Sequence, residues 1–569
     1  MNAKIHSKLH SKTHSKTHSK IHSWILTVGI LLVGGIAAYG QGPAPLRGVV
    51  GSQEEGKMEG VLVSAQKPGS TITVTVVSDN QGRYEFPAGR LTPGDYALRI
   101  RATGYDLAGS DSVKIEANKT AQADLKLVMT KDIAKQMEPG DWFLSNPEVK
   151  ERLINDVKFG QNCIGCHSLY PIMTSKYPAE VFLSIFDRMF QYHSSSIYEP
   201  GEVRVPVRHE HKTVRLKPDG SCCLDSEDLA RFIASVNLSS SSDGKWPFEI
   251  KKLPRPSGRG TRVIITEYEV PRRQSQPHDV AVDSDGIVWY NDHGNRYIGR
   301  LDPSTGEVKE FLVPGFTAET APGGSSGRPY FDYNQDNQSG RITFRDVVID
   351  RETLEVRREQ GRIRADGMIW QERGSPQADG DPRILEVIRT DPKTGEVKRF
   401  PGPDRPMRFY GDEVDSKGNF YGASLQFGVV GVLNGQNGEW AFIPTPTPDG
   451  GPRRTHMDRQ DRFWYAEYYA GAIGMFDPKT WKISEWKLDP NALPYGIGVD
   501  KNGEAWAAGQ GTNNLYRLNP ATGEVTKYPK GTVVYGQTRQ LYVDNRTNPV
   551  TVWVPHDHMK RIAKIEPLD

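Results

Sequence analysis

Residues 278–306 read HDVAVDSDGIVWYNDHGNRYIGRLDPSTG, and this pattern returns along the second half of the chain. An apolar run ends at Asp283, a turn containing glycine follows, and the next apolar run carries Trp289. A third run leads into a second turn at 302–306. Short apolar runs of this kind, separated by turn signals, predict antiparallel β-strands.

The repeated feature is an apolar run that closes on an aspartate. It occurs six times, ending at Asp283, Asp350, Asp415, Asp458, Asp500 and Asp544. The last spacings are about 42 to 44 residues, the period of a four-stranded propeller blade. The first two spacings are longer and predict insertions, the larger at 315–343. Six repeats predict a six-bladed propeller over 261–569, with a degenerate seventh blade within 315–403 as the alternative.

The last repeat ends without an outer strand. Residues 262–270, RVIITEYEV, have the alternating pattern of that missing strand and lie before the first repeat. We therefore expect this N-terminal segment to close the propeller by pairing with the last blade.

The blade pattern, from Pro277-His278-Asp279-Val280 to the segment 298–303, resembles the streptogramin (virginiamycin B) lyase family over about 300 residues. The resemblance implies a central site in which His and Glu hold a metal, here Mg²⁺, and a His acts as base in an elimination that opens a cyclic lactone. The candidate catalytic residues are His278, Asp292, His456, Glu467 and His558. Gln276 stands where the family pattern has an acid, and the preceding blade has Gln537 where the family has a further His. The set of residues expected for a lyase is therefore incomplete.

Residues 45–128 are rich in Val, Ile, Thr and Tyr at alternating positions, with turn signals at 79–82 and 92–95. This pattern predicts a small antiparallel β-sandwich within a domain spanning 41–130. Gly60-Val61-Leu62-Val63, the segment 82–86, Pro93-Gly94-Asp95-Tyr96 and the segment 102–105 resemble the carboxypeptidase regulatory-like domain. That resemblance implies an immunoglobulin-like accessory module without catalytic residues.

Residues 131–242 change to helical periodicity. Asn146-Pro147 is typical of a helix start, and apolar side chains at 181–190 and 229–236 predict two more helices. The stretch 243–260, rich in Pro, Arg and Gly, predicts a linker.

Cys163-Ile164-Gly165-Cys166-His167 is a CxxCH motif, the attachment signature of haem c. Two thiols at this spacing reach the two vinyl groups of a porphyrin, and the following His binds the iron. With its helices, the stretch resembles a class I c-type cytochrome, which implies one covalent haem. Met189 is the leading candidate for the distal iron ligand. Met173, His193, His209, His211 and an open position are the alternatives.

Cys222 and Cys223 are adjacent and complete the four cysteines of the chain. A vicinal disulfide, a bond to another chain and free thiols all remain open for this pair. Four thiols in 569 residues are too few for a disulfide scaffold.

The first 40 residues combine five lysines with the apolar run 24–38, as in a secretory signal peptide. The run is shorter than the roughly 20 residues that span a membrane, so we expect cleavage, export, and a membrane anchor only if the leader stays uncleaved. Without the leader the chain has 67 basic and 70 acidic side chains, which does not favour nucleic-acid binding.

Together these features predict a mainly β multidomain protein with a small all-α cytochrome domain. We expect an exported monohaem c-type cytochrome that transfers one electron, while the propeller binds a redox partner or a small-molecule substrate. A lyase-like enzyme and a non-catalytic interaction scaffold are the alternatives. If the protein is an enzyme, the sequence predicts a haem-linked oxidoreductase or a carbon–oxygen lyase.

Overall fold

The fold was analysed in a computed structural model. It describes residues 42–155, 163–164, 168–189, 226–240, 243–272, 275–292, 297–313, 341–344, 347–350, 356–357, 362–364, 366–373, 385–403, 407–534 and 536–569. The leader, Cys166, His167, Cys222 and Cys223 lie outside this part of the chain, as does most of the predicted insertion at 315–343.

Ten strands form the N-terminal sandwich. They are β1 (Leu46–Ser52), β2 (Gly56–Lys57), β3 (Leu62–Gln66), β4 (Ile72–Val77), β5 (Arg83–Phe86), β6 (Gly94–Arg101), β7 (Tyr105–Ala108), β8 (Ser112–Ile115), β9 (Ala121–Gln122) and β10 (Leu125–Met129). One sheet has the order β2-β1-β10-β7, with β5 and β9 also pairing with β1. The prediction of a purely antiparallel sandwich is wrong in one respect, because β1 pairs with β9 and β10 in parallel.

The second sheet of the sandwich continues into the propeller. Its order is β8-β6-β3-β4, and β4 then pairs with β11 (Val263–Glu269). On its other edge β11 pairs with the last strand of the chain, Arg561–Pro567, in a ladder that joins Ile265 to Ile565. This confirms the expected closure by residues 262–270. It also adds a feature that the sequence did not predict, an eight-stranded sheet shared by two domains.

Short helices connect the sandwich to the propeller. They are α1 (Pro139–Ser145), α2 (Pro147–Lys150), which continues into a π turn (Glu151–Asn155), α3 (Tyr170–Met173), α4 (Ala179–Met189) and α5 (Ser226–Val236), with 3₁₀ turns at Ile133–Gln136, Leu238–Ser240 and Gly258–Thr261. The Asn146 side chain accepts a hydrogen bond from the Glu148 backbone, so it caps α2 as predicted. Among the described residues, no helix is long and apolar enough to cross a membrane.

Seven sheets follow one another in the described part of the propeller. Blade 1 contains β12 (Pro277–Val282), β13 (Val288–Asp292), β14 (Tyr297–Asp302) and β15 (Glu307–Leu312). Blade 2 has three strands, β16 (Arg341–Phe344), β17 (Val347–Asp350) and β18 (Val356–Arg357). Blade 3 contains β19 (Arg362–Ile363), β20 (Ile369–Arg373), β21 (Glu386–Thr390) and β22 (Val397–Pro401).

The remaining blades are regular. Blade 4 contains β23 (Gly411–Val414), β24 (Phe420–Ser424), β25 (Val429–Leu433) and β26 (Trp440–Pro444), and blade 5 contains β27 (Pro452–Met457), β28 (Phe463–Glu467), β29 (Ala472–Asp477) and β30 (Lys482–Lys487). Blade 6 contains β31 (Pro494–Val499), β32 (Ala505–Gly509), β33 (Asn514–Leu518) and β34 (Val525–Pro529), and blade 7 contains β35 (Tyr542–Asp544), β36 (Thr551–His556), β37 (Arg561–Pro567) and β11.

The leading prediction of six blades is therefore wrong, and the alternative of a degenerate seventh blade within 315–403 is correct. The error has a simple cause. The interval between Asp350 and Asp415 holds a complete blade, blade 3, in which Asp366 binds the Trp370 indole across a shorter turn than in its neighbours. A search for the full repeat spacing therefore passes over it.

The repeated aspartates hold the turn that follows each inner strand. Asp500 Oδ1 accepts hydrogen bonds from the backbone N–H groups of Asn502 and Glu504 at 2.8 and 3.1 Å. Its Oδ2 accepts the Trp506 indole N–H at 2.9 Å. The same three bonds occur at Asp283 with Trp289 and at Asp458 with Trp464. Because each of these buried carboxylates satisfies three donors at once, the spacing of Asp and Trp stabilises the turn in blades 1, 5 and 6.

The helical segment packs on the propeller. Its apolar core, which includes Trp142, Phe143 and Leu153, also contains Tyr468, Leu493 and Tyr495 of blades 5 and 6. Polar contacts follow the same face, for example the Asn513 N–H donating to Glu138 at 2.6 Å. The helices therefore share one core with the propeller at the end where the inner strands begin.

Candidate functional site

A single position in the blade repeat supplies the center of the candidate site. The residue five positions before the turn aspartate begins the inner strand or lies just before it. In five blades this residue is His278, Tyr410, Arg453, Tyr495 or Arg539. We call these five residues the channel cluster, because inner strands line the center of a propeller.

Arg453 lies in the middle of the channel cluster, among tyrosine rings. Its guanidinium carbon is 3.7 Å from the ring center of Tyr495, 4.5 Å from that of Tyr468 and 4.6 Å from that of Tyr410. One Nη also donates to the Tyr410 hydroxyl oxygen at 3.2 Å. Stacking on aromatic faces stabilises the charge of an arginine and leaves its N–H edge available to other acceptors.

Tyr410 is the most acidic phenol of this group. Burial alone would raise its pKa, but the positive charges of Arg453 and Arg454 and the hydrogen bond with Tyr495 lower it to about 7. In the same pair, burial raises the pKa of Tyr495 to about 12. Tyr410 is 37% exposed, whereas Tyr495 is 1% exposed. Solvent therefore reaches the cluster from the side of Tyr410, and this is the hydroxyl that ionises first.

Two of the predicted histidines lie next to acids at this end of the propeller. His278 Nδ1 is 2.8 Å from Asp279 Oδ1, and His558 Nε2 is 3.8 Å from Asp557 Oδ2. Asp557 also accepts from Arg539 at 2.6 Å. Burial opposes it, but the positive charges of His558, Arg539 and His278 lower the pKa of Asp557. His558 lies next to this carboxylate, whereas His278 pairs with Asp279.

Asp292, the predicted partner of His278, belongs to another network. Its carboxylate contacts the Arg272 guanidinium and accepts the Gln276 backbone N–H at 3.2 Å. Glu310 binds the other side of Arg272 at 2.5 Å. Burial raises the pKa of Asp292 in spite of Arg272. This carboxylate anchors the entry to blade 1.

Glu467 and His456 lie on the two paired strands of one hairpin but are not opposite each other in the ladder. In the ladder His456 is opposite Trp464, and Glu467 is opposite Pro452. Glu467 is completely buried, and burial together with the neighbouring carboxylate of Glu485 raises its pKa to about 9. Glu467 is therefore protonated near neutral pH, which is unsuitable for a ligand of a divalent cation.

Within the described residues, no group of three or more His, Cys, Asp or Glu side chains is arranged to hold a metal ion. Gln276 and Gln537, which interrupt the lyase pattern, are both buried at this end of the propeller. Mg²⁺ in the propeller stays a prediction from the family resemblance, without support from the geometry described here.

The haem-attachment motif is described at Cys163 and Ile164 only. Ile164 is fully buried in the helical core, and Cys163 packs against the same core while remaining partly exposed. The Cys163 N–H donates to the Leu153 carbonyl at 3.2 Å, which fixes the start of the motif against the helix that precedes it. Met189 is the last residue of α4, and its side chain lies outside the described part of the chain.

A surface cleft of about 290 Å³ is distinct from the channel cluster. It lies between blades 3 and 4 and is lined by residues that include Asp366, Arg389 and Lys398. Asp366 binds the Trp370 indole, Arg389 lies over the same indole, and Lys398 donates to the Gln436 carbonyl at 2.7 Å. Because these charges already stabilise the two blades, the cleft is a structural feature.

The sequence analysis missed the arginines and tyrosines of the channel cluster. It singled out histidines and acids by residue type, following the lyase resemblance. A signal was present, because Tyr410, Arg453, Tyr495 and Arg539 have the same offset from the turn aspartate as His278. Aligning the blades on that aspartate would have found them.

A comparison with family models agrees with the N-terminal β region. The model of the carboxypeptidase regulatory-like domain family matches residues 45–128, which confirms the resemblance found in the sequence. No curated protein matches the chain. Neither a family model nor a relative supports the predicted cytochrome domain.

Several solved structures match about half of this chain at low similarity. A structure of streptogramin B lyase is 20% identical and covers 55% of this chain and 99% of its own, with a TM-score of 0.44. Virginiamycin B lyase from Staphylococcus aureus is 16% identical and covers 53% of this chain and 99% of its own, with a TM-score of 0.41. The extracellular domain of a one-component system from B. thetaiotaomicron is 15% identical and covers 51% of this chain and 38% of its own, with a TM-score of 0.37. The chain thus combines a domain that matches the carboxypeptidase regulatory-like family with a propeller of seven sheets in its described part.

Proposed function

We propose that this protein is an exported one-electron carrier, in which a c-type haem on the helical segment works beside a ligand-binding propeller. The observation that supports the proposal best is the shared core. Tyr495 belongs both to the channel cluster and to the apolar core that borders Cys163. A group attached at Cys163 would thus border the same apolar core to which Tyr495 belongs.

Apolar side chains of the helical segment support the proposal of a covalent haem. Leu183, Ile185 and Phe186 on α4 and Leu229 and Phe232 on α5 pack against the helical core, yet each remains partly exposed. Apolar side chains left partly open to solvent suit the edge of a large apolar group. Cys163 and Cys166 would hold haem through thioether bonds, with His167 as proximal and Met189 as distal ligand. When bound, haem c supplies reversible one-electron transfer.

The chain's own residues have separate tasks in this proposal. The α4 and α5 side chains exclude water from the attachment site, and the channel cluster binds the partner or substrate. Tyr495 is fully buried between the two and is stacked on Arg453 at 3.7 Å.

The test is the visible absorbance of the full-length protein made in a host that carries the haem-ligation machinery. We expect a c-type spectrum that survives acid-acetone extraction, because thioether bonds resist it. Cys163→Ser should abolish this retained absorbance, and Cys222→Ser, outside the motif, should preserve it. A colourless wild-type protein from the competent host would refute the haem half of the proposal.

A further inference from the structure

Three arginines meet at the channel cluster, and their charges are unequally compensated. Arg539 is paired with Asp557 at 2.6 Å, and Arg454 is 3.5 Å from Asp279. Arg453 has no carboxylate within 4 Å in the described structure, and its contacts are the tyrosine rings and the Tyr410 hydroxyl. The center of the cluster therefore carries a positive charge without a carboxylate partner.

A positive charge of this kind is costly where the guanidinium is partly shielded from bulk water, as that of Arg453 is. Arg453 Nε is shielded from solvent and has no hydrogen-bond partner among the described residues. The aromatic rings cover the faces of the guanidinium, so an additional partner can approach only its N–H edge. That edge matches two oxygens of one anion, the usual bidentate geometry of arginine with carboxylate or phosphate.

We propose that the channel cluster binds a small oxyanion, with Arg453 as its main contact and the Tyr410 hydroxyl as a second donor. Organic carboxylates and inorganic phosphate share this chemistry. The site is reached from the side of Tyr410, which is 37% exposed, since the helical core covers Tyr468 and Tyr495. The proposal deepens the ligand-binding half of the proposed function and does not depend on the haem half.

The charged neighbours of Tyr410 provide a direct readout of binding. The phenol faces Arg453 and is within the field of Arg454 and Arg539, and these charges lower its pKa to about 7. An anion on Arg453 would cancel part of that field, and the phenol would take up a proton. Binding should therefore raise the pH at which Tyr410 ionises, by about one pH unit for a tenfold change in its ionisation constant.

The experiment combines calorimetry with ultraviolet titration of tyrosinate on the full-length protein, with acetate and phosphate as separate probes and chloride at matched ionic strength. Tyr410→Phe provides the spectral baseline. We expect saturable binding of acetate or phosphate and an upward shift of one tyrosine ionisation near pH 7. Binding of acetate alone identifies a carboxylate site, and binding of phosphate alone identifies an inorganic oxyanion site.

Arg453→Gln should weaken binding at least about tenfold and remove the ionisation near pH 7, because one charged hydrogen-bond pair is lost. Arg399→Gln is the control, since Arg399 pairs with Glu386 on the propeller surface at 2.8 Å. The absence of saturable binding in the wild type, or wild-type affinity in a folded Arg453→Gln, would overturn the proposal. If Arg453→Gln does not fold, Tyr410→Phe decides: because it removes the second donor, it must weaken anion binding and lose the ultraviolet signal, and wild-type affinity or an unchanged signal would overturn the proposal. A haem spectrum without anion binding would refute this inference and leave the proposed electron carrier intact.

Discussion

The turn aspartates and the channel cluster occupy fixed positions in the blade repeat. The two sets differ in how much the residue type varies from one blade to the next. The turn aspartates are identical from blade to blade and make the same three hydrogen bonds in blades 1, 5 and 6. The channel cluster, five residues earlier, contains His, Tyr and Arg. A repeat tolerates no change where the backbone depends on a side chain. It can vary where the side chain only faces the central space.

The turn aspartates and the channel cluster also differ in whether their side chains stabilise the blade or remain available to a ligand. A turn aspartate fills its hydrogen-bonding capacity within its own blade, so nothing remains for a ligand. Arg453 and Tyr410 instead contact residues of other blades. Arg453 has a donor, Nε, without a hydrogen-bond partner among the described residues, and Tyr410 is exposed to solvent. We therefore expect substitutions of turn aspartates to act on stability and substitutions of the channel cluster to act on binding.

The largest effect should come from Asp500→Ala. It removes three hydrogen bonds to a carboxylate that is 6% exposed and leaves the Trp506 indole N–H unpaired in the core. We expect a loss of about 3 kcal/mol in the free energy of unfolding, measured by chemical denaturation. Asp477→Ala is the control. Its carboxylate accepts the Lys479 N–H at a more exposed turn, and we expect a loss below about 1 kcal/mol. Equal losses in the two variants would contradict the division drawn here.

A smaller effect on stability is expected at Glu467. It tests whether this buried acid contributes to folding stability or to the candidate site. Its usual pKa of 4.5 is raised to about 9 in the folded chain by burial and by Glu485. Between these values the folded state binds more protons than the unfolded state. Its contribution to stability is complete below pH 4.5 and is lost as the pH rises towards 9.

Glu467→Gln mimics the protonated side chain, so it should stabilise the protein at pH 8 and leave it unchanged at pH 4. We expect a gain of at least about 1 kcal/mol at pH 8, measured by thermal unfolding across this range. Glu439→Gln, on an exposed turn, should show no such pH dependence. A Glu467→Gln variant that is less stable at pH 8 would indicate that the carboxylate is ionised.

The smallest effect concerns the second turn of the blades, where one blade departs from the rest. Gly306, Gly395 and Gly523 have φ of 77°, 75° and 75°, and blade 5 has Trp481 in the corresponding position with φ of 57°. A side chain is strained in this left-handed region, so Trp481→Gly should relieve strain but lose the edge contact with Phe476. We expect a net gain of about 0.5 kcal/mol in the free energy of unfolding. Trp481→Ala keeps the strain and loses that contact, so its melting temperature should fall. A lower melting temperature for Trp481→Gly would show that the Phe476 contact dominates.

Much of the fold could be predicted from the sequence, because its strands are bounded by turns with clear chemistry. The closure by 262–270 and the helices at 179–189 and 226–236 follow from local patterns alone. Blade 3 was missed because its turn at Asp366 has a different length. The sheet shared by β4 and β11 depends on which edge of the sandwich meets the propeller, and no local pattern encodes that pairing.

The site was harder to predict than the fold. His278 and His558 were found because histidine is a conspicuous residue type, whereas Asp292 and Glu467 were assigned to catalysis as acid partners of His278 and His456 under the lyase resemblance. Their roles depend on Arg272 and Glu485, which are 20 and 18 residues away in the chain. The charge of Arg453 is notable only once its tyrosine neighbours are known, since the sequence cannot show that an arginine lacks a carboxylate.

The strand β11 has a partner on each edge, β37 from the propeller and β4 from the sandwich. The N-terminal domain is consequently joined to the propeller by strand pairing and not only by a linker. A partner bound to this domain would be held in a fixed orientation relative to the channel cluster. Cutting the chain before residue 131 would uncover one edge of β11 and leave a row of unpaired amide groups available to other strands. For this protein the domain boundary read from families is therefore a poor place to divide the polypeptide.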